Sequence, residues 1–247
     1  PEPLRDVLIH KWLLSIVAAV LRHGFHGRGV LTLQGAQGIG KTSWLRRLVN
    51  DPLLRDAAIK VDHHLDPSNK DSVLGAITHT IVELGEVDSA FKKDIARLKG
   101  FITADKDKVR RPYARREAEY ARRTVLMASV NESNFLVDST GNTRWWTIRA
   151  ERIDYMHDID MQQVFAQLAV ELEDGATWWL DPVIEQALER ENQQHRMASV
   201  VEDLMMGAID HDAEEGQREA HTASSLLMAI GIDRPTNAQA REAGTIL

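Results

Sequence analysis

The chain is organised around Gly35-Ala36-Gln37-Gly38-Ile39-Gly40-Lys41-Thr42, which fits the pattern G-x-x-x-x-G-K-S/T. Glycines in such a loop let the backbone fold so tightly that successive N–H groups point inward at phosphate oxygens. The lysine brings a positive charge to the β- and γ-phosphates, and the threonine hydroxyl can ligate Mg²⁺. The stretch therefore predicts a loop that binds ATP and Mg²⁺, with nucleotide contacts from Gly35, Ala36, Gln37, Gly38, Ile39, Gly40, Lys41, Thr42 and Ser43.

The sequence on both sides of this loop has the order that phosphate binding requires. Residues 30–33 form a short apolar, β-rich run, and residues 43–49 place their apolar side chains at helical spacing. The helix would begin at the phosphates and add the positive end of its dipole. This context disfavours the alternative, which is a chance glycine-rich turn.

Composition is that of a water-soluble globular protein, with 43% hydrophobic and 27% charged residues in a 247-residue chain. No apolar run reaches the length of a membrane span, and Pro1-Glu2-Pro3 is not the basic start of a signal peptide. The absence of cysteine excludes disulfides and thiolate zinc sites and suits a cytoplasmic protein. The net charge of −7 argues against a globally basic nucleic-acid binder, so any DNA contact must come from a local basic segment.

Alternating strand and helix patterns predict an α/β fold with a parallel central sheet, an N-terminal helix and a helical C-terminal region. Strands are predicted at residues 30–33, 57–61, 80–86, 124–129 and 144–148. Helices are predicted at residues 4–20, 43–49, 72–79, 88–99, 117–123, 162–172, 182–206, 222–230 and 237–247, with an irregular basic stretch at 100–111. We divide the chain into an N-terminal helical segment (1–28), a nucleotide-hydrolysing core (29–158), a C-terminal helical region (159–209) and a connector with a partial helical tail (210–247).

Polar residues follow two of the predicted strands, where ligands of a parallel sheet gather. Glu83 and Glu86 end one strand, and Asn131 ends the next. This set suits ATP hydrolysis: Glu83 is the candidate on the metal side together with Thr42, Glu86 is the candidate base, and Asn131 helps to position the attacking water. The alternative for Glu83 is a carboxylate on a helix face, because a short apolar run fits either element.

Arg144 follows a predicted tight turn and precedes two tryptophans. In ring-shaped ATPases, an arginine from a neighbouring subunit completes the site and stabilises charge in the transition state. The alternative is a surface arginine stacked on a tryptophan ring.

Residues 92–123 differ in charge from the chain as a whole: they include twelve basic and five acidic residues and carry a net charge of +7. Such a run is usually a solvated face, but here Phe101 and Tyr113 are interleaved and the segment lies between the acidic and asparagine-ended strands. A loop at this place can track a nucleic-acid backbone. The candidate DNA-binding residues are Lys99, Lys106, Lys108, Arg110, Arg111, Arg115 and Arg116, of which Arg110 and Arg111 can instead serve the nucleotide.

Several stretches in this order resemble the virulence-associated protein E family of phage, prophage and plasmid ATPases. They are residues 35–42, 81–86, 98–103, Asp107, 111–113, 129–131 and 138–146, and the resemblance covers roughly residues 4–200. Members are similar to superfamily 3 replicative helicases and are often fused behind a primase. The resemblance implies a P-loop NTPase core of the AAA+ type, a hexameric homo-oligomer, 3′-to-5′ movement on single-stranded DNA and the cytoplasm of a bacterial host.

The same resemblance implies roles for individual residues. Lys41 and Thr42 take the phosphate-loop roles, Asn131 the sensor position and Arg144 the arginine finger, while residues 99–116 fall where superfamily 3 helicases carry a DNA-contacting loop. Glu83 and Glu86 fall on the acidic motif, but they form Glu-x-x-Glu rather than an adjacent pair, which leaves their division of labour open. Residues 222–247 fall where a winged-helix-like DNA-binding unit would begin.

These observations predict an ATP-driven DNA helicase or translocase of a mobile element, with single-stranded DNA, further copies of itself and a primase as partners. An NTPase switch or assembly protein that binds no DNA is the main alternative, favoured by the acidic total charge. A small-molecule kinase, which would be a monomer, is the third.

Overall fold

The structure is a computed structural model that describes residues 3–85, 95–109, 115–116, 118–131, 135–136, 142–195, 200–208 and 221–246. Glu86, Arg110 and Arg111, which the sequence analysis assigned to the site, lie outside the described residues. Contacts divide the chain into two compact units, residues 1–196 and 197–247. The finer boundaries at residues 28, 158 and 209 remain predictions.

The first unit contains a five-stranded parallel sheet in the order β2-β3-β6-β1-β7. Its strands are β1 (Val30–Gln34), β2 (Ile59–His63), β3 (Ile81–Leu84), β6 (Val125–Val130) and β7 (Trp145–Arg149). Two further strands, β4 (Lys106–Val109) and β5 (Ala118–Ala121), form a separate antiparallel pair. Strands β1, β3, β6 and β7 are largely apolar, as expected for a sheet covered on both faces, whereas β2, at one edge, carries Lys60, Asp62 and His63. The predicted α/β fold with a parallel central sheet is confirmed.

Ten α-helices lie in the described part of the chain. They are α1 (Leu4–Leu21), α2 (Lys41–Arg47), α3 (Pro52–Ala58), α4 (Lys70–Ile77), α5 (Ile95–Thr103), α6 (Met161–Glu173), α7 (Pro182–Gln193), α8 (Val200–Ala208), α9 (Ala223–Ala229) and α10 (Asn237–Ile246). Asp51, Asn69, Asp160 and Asp181 cap helix N-termini by accepting bonds from backbone N–H groups. None of these helices combines the length and the apolar character that crossing a bilayer requires.

Successive side chains of the central strands enter two different cores. Leu31 and Met127 belong to the core shared with α1, α6 and α7, whereas Val30 and Leu126 belong to the core shared with α4 and α5. Trp12 of α1 is fully buried, and its indole N–H donates to the Leu126 carbonyl at 2.8 Å. The sheet is therefore held rigidly from both faces, and only the ends of its strands can form a cleft.

The described part of the second unit consists of α8, α9 and α10. Val201 and Met205 of α8 pack with Leu227 and Ala243 in a small core of their own. The two short helices predicted for the tail are present, and the winged-helix assignment stays a prediction.

The region between β3 and β6 differs most from the sequence prediction. In the stretch predicted to be irregular, α5 continues to Thr103, and Lys106–Val109 is a strand. Where a helix was predicted at residues 117–123, Ala118–Ala121 is instead a strand that pairs with β4. Exposed and buried side chains alternate along β4, but this alternation was not recognised in the sequence because the buried Asp107 is charged like its exposed neighbours. The helix predicted to run from residue 182 to 206 also ends earlier, at Gln193.

A buried ion pair holds the β4–β5 pair against α5. The side chains of Arg122 and Asp107 are 1% and 6% exposed and form two hydrogen bonds, Nε to Oδ2 and Nη2 to Oδ1, both of 2.6 Å. Arg122 also donates to the Phe101 carbonyl at 3.1 Å, and its guanidinium lies 4.2 Å from the centre of the Phe101 ring. These two charges belong to the segment of net charge +7, but they neutralise each other inside the protein.

We expect Arg122→Met to destabilise the protein by about 3–5 kcal/mol, because it leaves the Asp107 carboxylate buried without a partner. Urea unfolding followed by circular dichroism measures the change. The double variant Arg122→Met/Asp107→Leu should recover most of this stability, since no buried charge remains. Lys106→Met, which breaks the exposed ion pair with Glu119, is the matched control and should shift the midpoint far less. Equal shifts for the two single variants would contradict a stabilising role for the buried pair.

Candidate nucleotide site

The glycine-rich loop joins the carboxyl end of β1 to the first residue of α2. Gly38 and Gly40 have φ angles of +85° and +100°, which residues with a side chain rarely adopt. A Cβ atom on Gly35 would overlap the Ala150 carbonyl oxygen, and one on Gly40 would overlap the Tyr155 ring. The segment that follows β7 thus presses against the loop, and only glycine fits at these places.

Lys41 is held at the centre of the loop with its ammonium group almost fully buried. It is 7% exposed, and its Nζ donates to the Gly35 carbonyl at 2.6 Å, the Ala36 carbonyl at 3.0 Å and Asn131 Oδ1 at 2.9 Å. Burial lowers the pKa of Lys41, and the nearby Glu83 carboxylate partly opposes that effect. The end of β6 is thereby joined to the loop, as the positions of Lys41 and Asn131 in the sequence suggested.

Glu83 lies inside β3 and is 3% exposed, so the alternative of a carboxylate on a helix face is wrong. Its Oε1 accepts two hydrogen bonds, from Thr42 Oγ1 at 2.7 Å and from Ser129 Oγ at 2.6 Å. Its Oε2 is buried and has no hydrogen-bond partner among the described residues. The carboxylate thus contacts the second residue of α2, and one of its oxygens has no partner among the described residues.

These side chains line one open cleft of about 840 Å³. The loop forms one wall, and Glu83, Ser129 and Asn131 form another, at the carboxyl ends of β3 and β6. The size is that of a pocket for a nucleotide-sized ligand. Position and size together agree with the rule that ligands of open parallel sheets bind beyond the carboxyl ends of the strands.

The oxygen atoms at this cleft fit a magnesium ion better than a transition metal. No group of three or more His, Cys, Asp or Glu side chains in the described ranges is arranged to hold a metal by itself. Mg²⁺ needs no such cage, because it keeps several waters and binds through one or two carboxylates together with substrate phosphates. Thr42 and Glu83, the predicted metal-side residues, provide a hydroxyl and a buried carboxylate oxygen without a partner.

Arg144 lies at the end of the sheet where β1 and β7 begin, opposite to the carboxyl ends that form the cleft. Val30 pairs with Trp145 in the parallel pair β1–β7, so Arg144 comes just before the amino end of β7. The glycine-rich loop follows the carboxyl end of β1. Arg144 therefore does not line the cleft of its own chain.

The β4–β5 pair carries most of the described DNA-binding candidates, and we call it the basic hairpin (residues 106–109, 115–116 and 118–121). Lys106 and Lys108 are exposed on β4, and Arg115 and Arg116 are exposed between the strands. Lys106 pairs with Glu119 at 2.7 Å, and Lys108 lies 3.8 Å from the same carboxylate. Lys99 is half-buried on α5. The exposed surface of the hairpin is positive but partly neutralised.

Three polar or charged residues of the cleft were missed by the sequence analysis. Ser129 was counted as part of an apolar strand, although a serine two positions before Asn131 is the polar exception in that strand. Asp62 was placed in a polar loop because the second strand was predicted two residues too early. Arg46 was assigned only to the helix that follows the loop, but it lines the cleft as well.

Similarity to individual known proteins is low. A search of curated proteins found no match. Two solved structures of the apo NrS-1 C-terminal region align with the whole chain at 16% identity, with TM-scores of 0.47 and 0.45. The chain spans 62% of the length of each.

The family assignment rests on a different comparison. The family model described as the virulence-associated protein E-like domain matches residues 2–197, which is nearly the whole first unit. The match agrees with the resemblance seen in the sequence. The chain therefore belongs to the virulence-associated protein E-like family.

Proposed function

We propose that this chain hydrolyses ATP and uses the energy to move along single-stranded DNA, as a ring-shaped homo-oligomer that serves the replication of a phage or another mobile element. One observation carries the proposal. Lys41, Thr42, Glu83, Ser129 and Asn131 come from three separate elements and meet in one cleft beside a glycine-rich loop.

Binding of the triphosphate exchanges hydrogen bonds at the loop. The three donors of Lys41 Nζ are used by two loop carbonyls and by Asn131, so the protein itself holds the ammonium group in position. Phosphate oxygens are stronger acceptors than backbone carbonyls, and their negative charge compensates the ammonium charge that burial disfavours. Asn131 is then released to contact the terminal phosphate or the attacking water.

Hydrolysis needs charge stabilisation and a positioned water molecule. Magnesium, held by Thr42 and Glu83 with the phosphates, would neutralise charge on the phosphate oxygens. Ser129 fixes the Glu83 carboxylate by donating to the same oxygen as Thr42. Glu86 remains our candidate for the base that accepts the proton of the attacking water.

Arg144 suits a finger that acts on a neighbour. It precedes β7, at the end of the sheet opposite to the cleft of its own chain. Arg144 would therefore contact the nucleotide of another subunit. This position supports an oligomer in which each ATP is enclosed between two subunits.

The basic hairpin is the proposed DNA contact. The buried Arg122–Asp107 pair fixes its base, which leaves Lys108, Arg115 and Arg116 to face a polyanion. A rigid base is required if movement of the protein core is to reach the bound strand.

Lys41→Ala should lower kcat/KM for ATP by at least about 100-fold, because it removes the charge that the terminal phosphates contact. A coupled assay of phosphate release measures it. Lys11→Ala is the control, since Lys11 Nζ also donates to a backbone carbonyl, that of Thr177 at 2.6 Å, but lies outside the cleft. Full activity of Lys41→Ala would show that the loop has no catalytic role.

Arg144→Ala should reduce turnover by roughly 10³-fold or more if the arginine stabilises the transition state in a neighbouring subunit. Mixing Arg144→Ala with Lys41→Ala subunits should restore part of the activity, because the intact site of one then meets the intact arginine of the other. The control mixture pairs Arg144→Ala with the double variant Arg144→Ala/Lys41→Ala, which provides no arginine. Restoration in neither mixture would argue for a purely structural role.

Single-stranded DNA should bind the basic hairpin and stimulate ATP hydrolysis. For Arg115→Ala/Arg116→Ala, the slope of log affinity against log salt concentration should fall by about 0.7 for each phosphate that the variant no longer neutralises. Fluorescence anisotropy of a labelled oligonucleotide measures it, with Arg5→Ala/Arg190→Ala as a control that removes the same charge elsewhere. No binding by the native chain at low salt, with nucleotide-dependent assembly intact, would select the NTPase switch or assembly protein instead.

A further inference from the structure

Strand β2 contains an irregularity directly beside Glu83. Lys60 pairs with Val82 and His63 pairs with Leu84, so Val61 and Asp62 together face the single residue Glu83. Two residues opposite one is the arrangement of a β-bulge, which changes the direction of a side chain and is frequent next to active sites.

Asp62 has an unusual backbone conformation within this bulge. Its φ angle is +50°, and it is the only non-glycine residue with a positive φ in the described part of the chain. An aspartate tolerates the left-handed region better than most residues but does not prefer it. Such conformations persist only where the surrounding structure enforces them, and they cluster at functional sites.

The residue that makes room for this conformation is Gly85, two positions after Glu83. A Cβ on Gly85 would overlap Oδ1 of Asp62 and come within 3.2 Å of the Asp62 backbone. The Gly85 N–H donates to the His63 carbonyl at 3.1 Å and keeps the two strand ends together. The Asp62 carboxylate therefore rests against the end of β3, on the wall of the cleft that Glu83 also lines.

No structural role explains this carboxylate. Asp51, Asp160 and Asp181 cap helices, and Asp107 pairs with Arg122. Asp62, in contrast, is exposed to the cleft and makes no hydrogen bond or ion pair with any described residue. An unpaired negative charge at a cleft that is built for a polyanion opposes binding, unless a cation lies between them.

We propose that Asp62 is the second carboxylate of the divalent-cation site, and that it contacts the water shell of the cation that accompanies the triphosphate. The inference rests on the proposed ATP binding. Glu83 provides independent support, because its Oε2 atom is buried at the same cleft with no partner among the described residues. One buried and one exposed carboxylate match the way Mg²⁺ is held, through few protein oxygens and several waters. Asp62 is thus a positioning residue that acts on ATP through the cation.

The test compares Asp62→Asn with the native protein in a binding assay that needs no turnover. Asparagine has the same shape and tolerates the same φ angle, so the bulge is kept while the charge is removed. A fluorescent, non-hydrolysable ATP analogue is titrated at increasing Mg²⁺ concentrations and again in EDTA. We expect the half-saturating Mg²⁺ concentration to rise roughly tenfold or more. In EDTA the affinity should be equal to or higher than that of the native protein, because the charge that repels the triphosphate is gone.

Two further variants separate this role from the alternatives. Asp56→Asn removes the same charge from the exposed face of α3 and should leave the Mg²⁺ dependence unchanged. Asp62→Gly removes both the carboxylate and the backbone strain, so it should show the same Mg²⁺ defect without a lower melting temperature. A fall in melting temperature, or an Asp62→Gly variant that does not fold, would assign Asp62 a structural role and overturn the proposal.

The results also distinguish this inference from the function on which it rests. If the native protein binds the analogue through Lys41 but Asp62→Asn has the native Mg²⁺ dependence, the role of Asp62 is wrong and ATP binding stands. If Asp62→Asn lowers affinity equally in Mg²⁺ and EDTA, the carboxylate acts on the nucleotide rather than the cation, which also overturns the proposal. If the native protein binds no analogue under any condition, both proposals fail.

Discussion

The site depends on one buried carboxylate. Glu83 sits inside a strand where both neighbours are apolar, and burying its charge is costly unless hydrogen bonds compensate. Thr42 and Ser129 provide two such bonds to the same oxygen, and in doing so they join α2, β3 and β6 at one point. The second oxygen is buried and has no partner among the described residues, so a water molecule or a cation at the cleft would complete its hydrogen bonding.

The parallel sheet explains why these side chains meet. Strands β1, β3 and β6 are mostly apolar, and Gln34, Glu83 and Ser129 lie towards their carboxyl ends, so these polar residues collect at one end of the sheet. Arg144 precedes a strand and therefore lies at the opposite end of the sheet, where the strands begin. The order of strands and loops along the chain thus decides which residues can meet at the cleft of one chain.

Much of this arrangement was predictable from the sequence, because the conformation of a glycine-rich loop between a strand and a helix is determined largely by the residues of the loop itself. Lys41 and Thr42 were predicted in that way, and Glu83 and Asn131 were predicted because polar residues that follow parallel strands gather at one end of the sheet. Asp62 was not, because its placement depends on a bulge and on the contact with Gly85, which are properties of a strand pair rather than of a segment. The basic hairpin was misread for a related reason: four-residue strands rich in charge show a period of two only when the buried partner, here Arg122 for Asp107, is known.

Strand β6 connects the two regions that the proposed motor needs. Its amino end follows Arg122, which fixes the basic hairpin, and its carboxyl end holds Ser129, with Asn131 just beyond. The strand lies between β1 and β3 in the sheet, and all of its residues except Ser129 are buried. In the proposed motor, exchange of the Asn131 bond to Lys41 for one to a phosphate would act on an element whose other end leads to the hairpin. A motor requires such a connection, because energy released in the cleft is useful only if it displaces the surface that grips DNA.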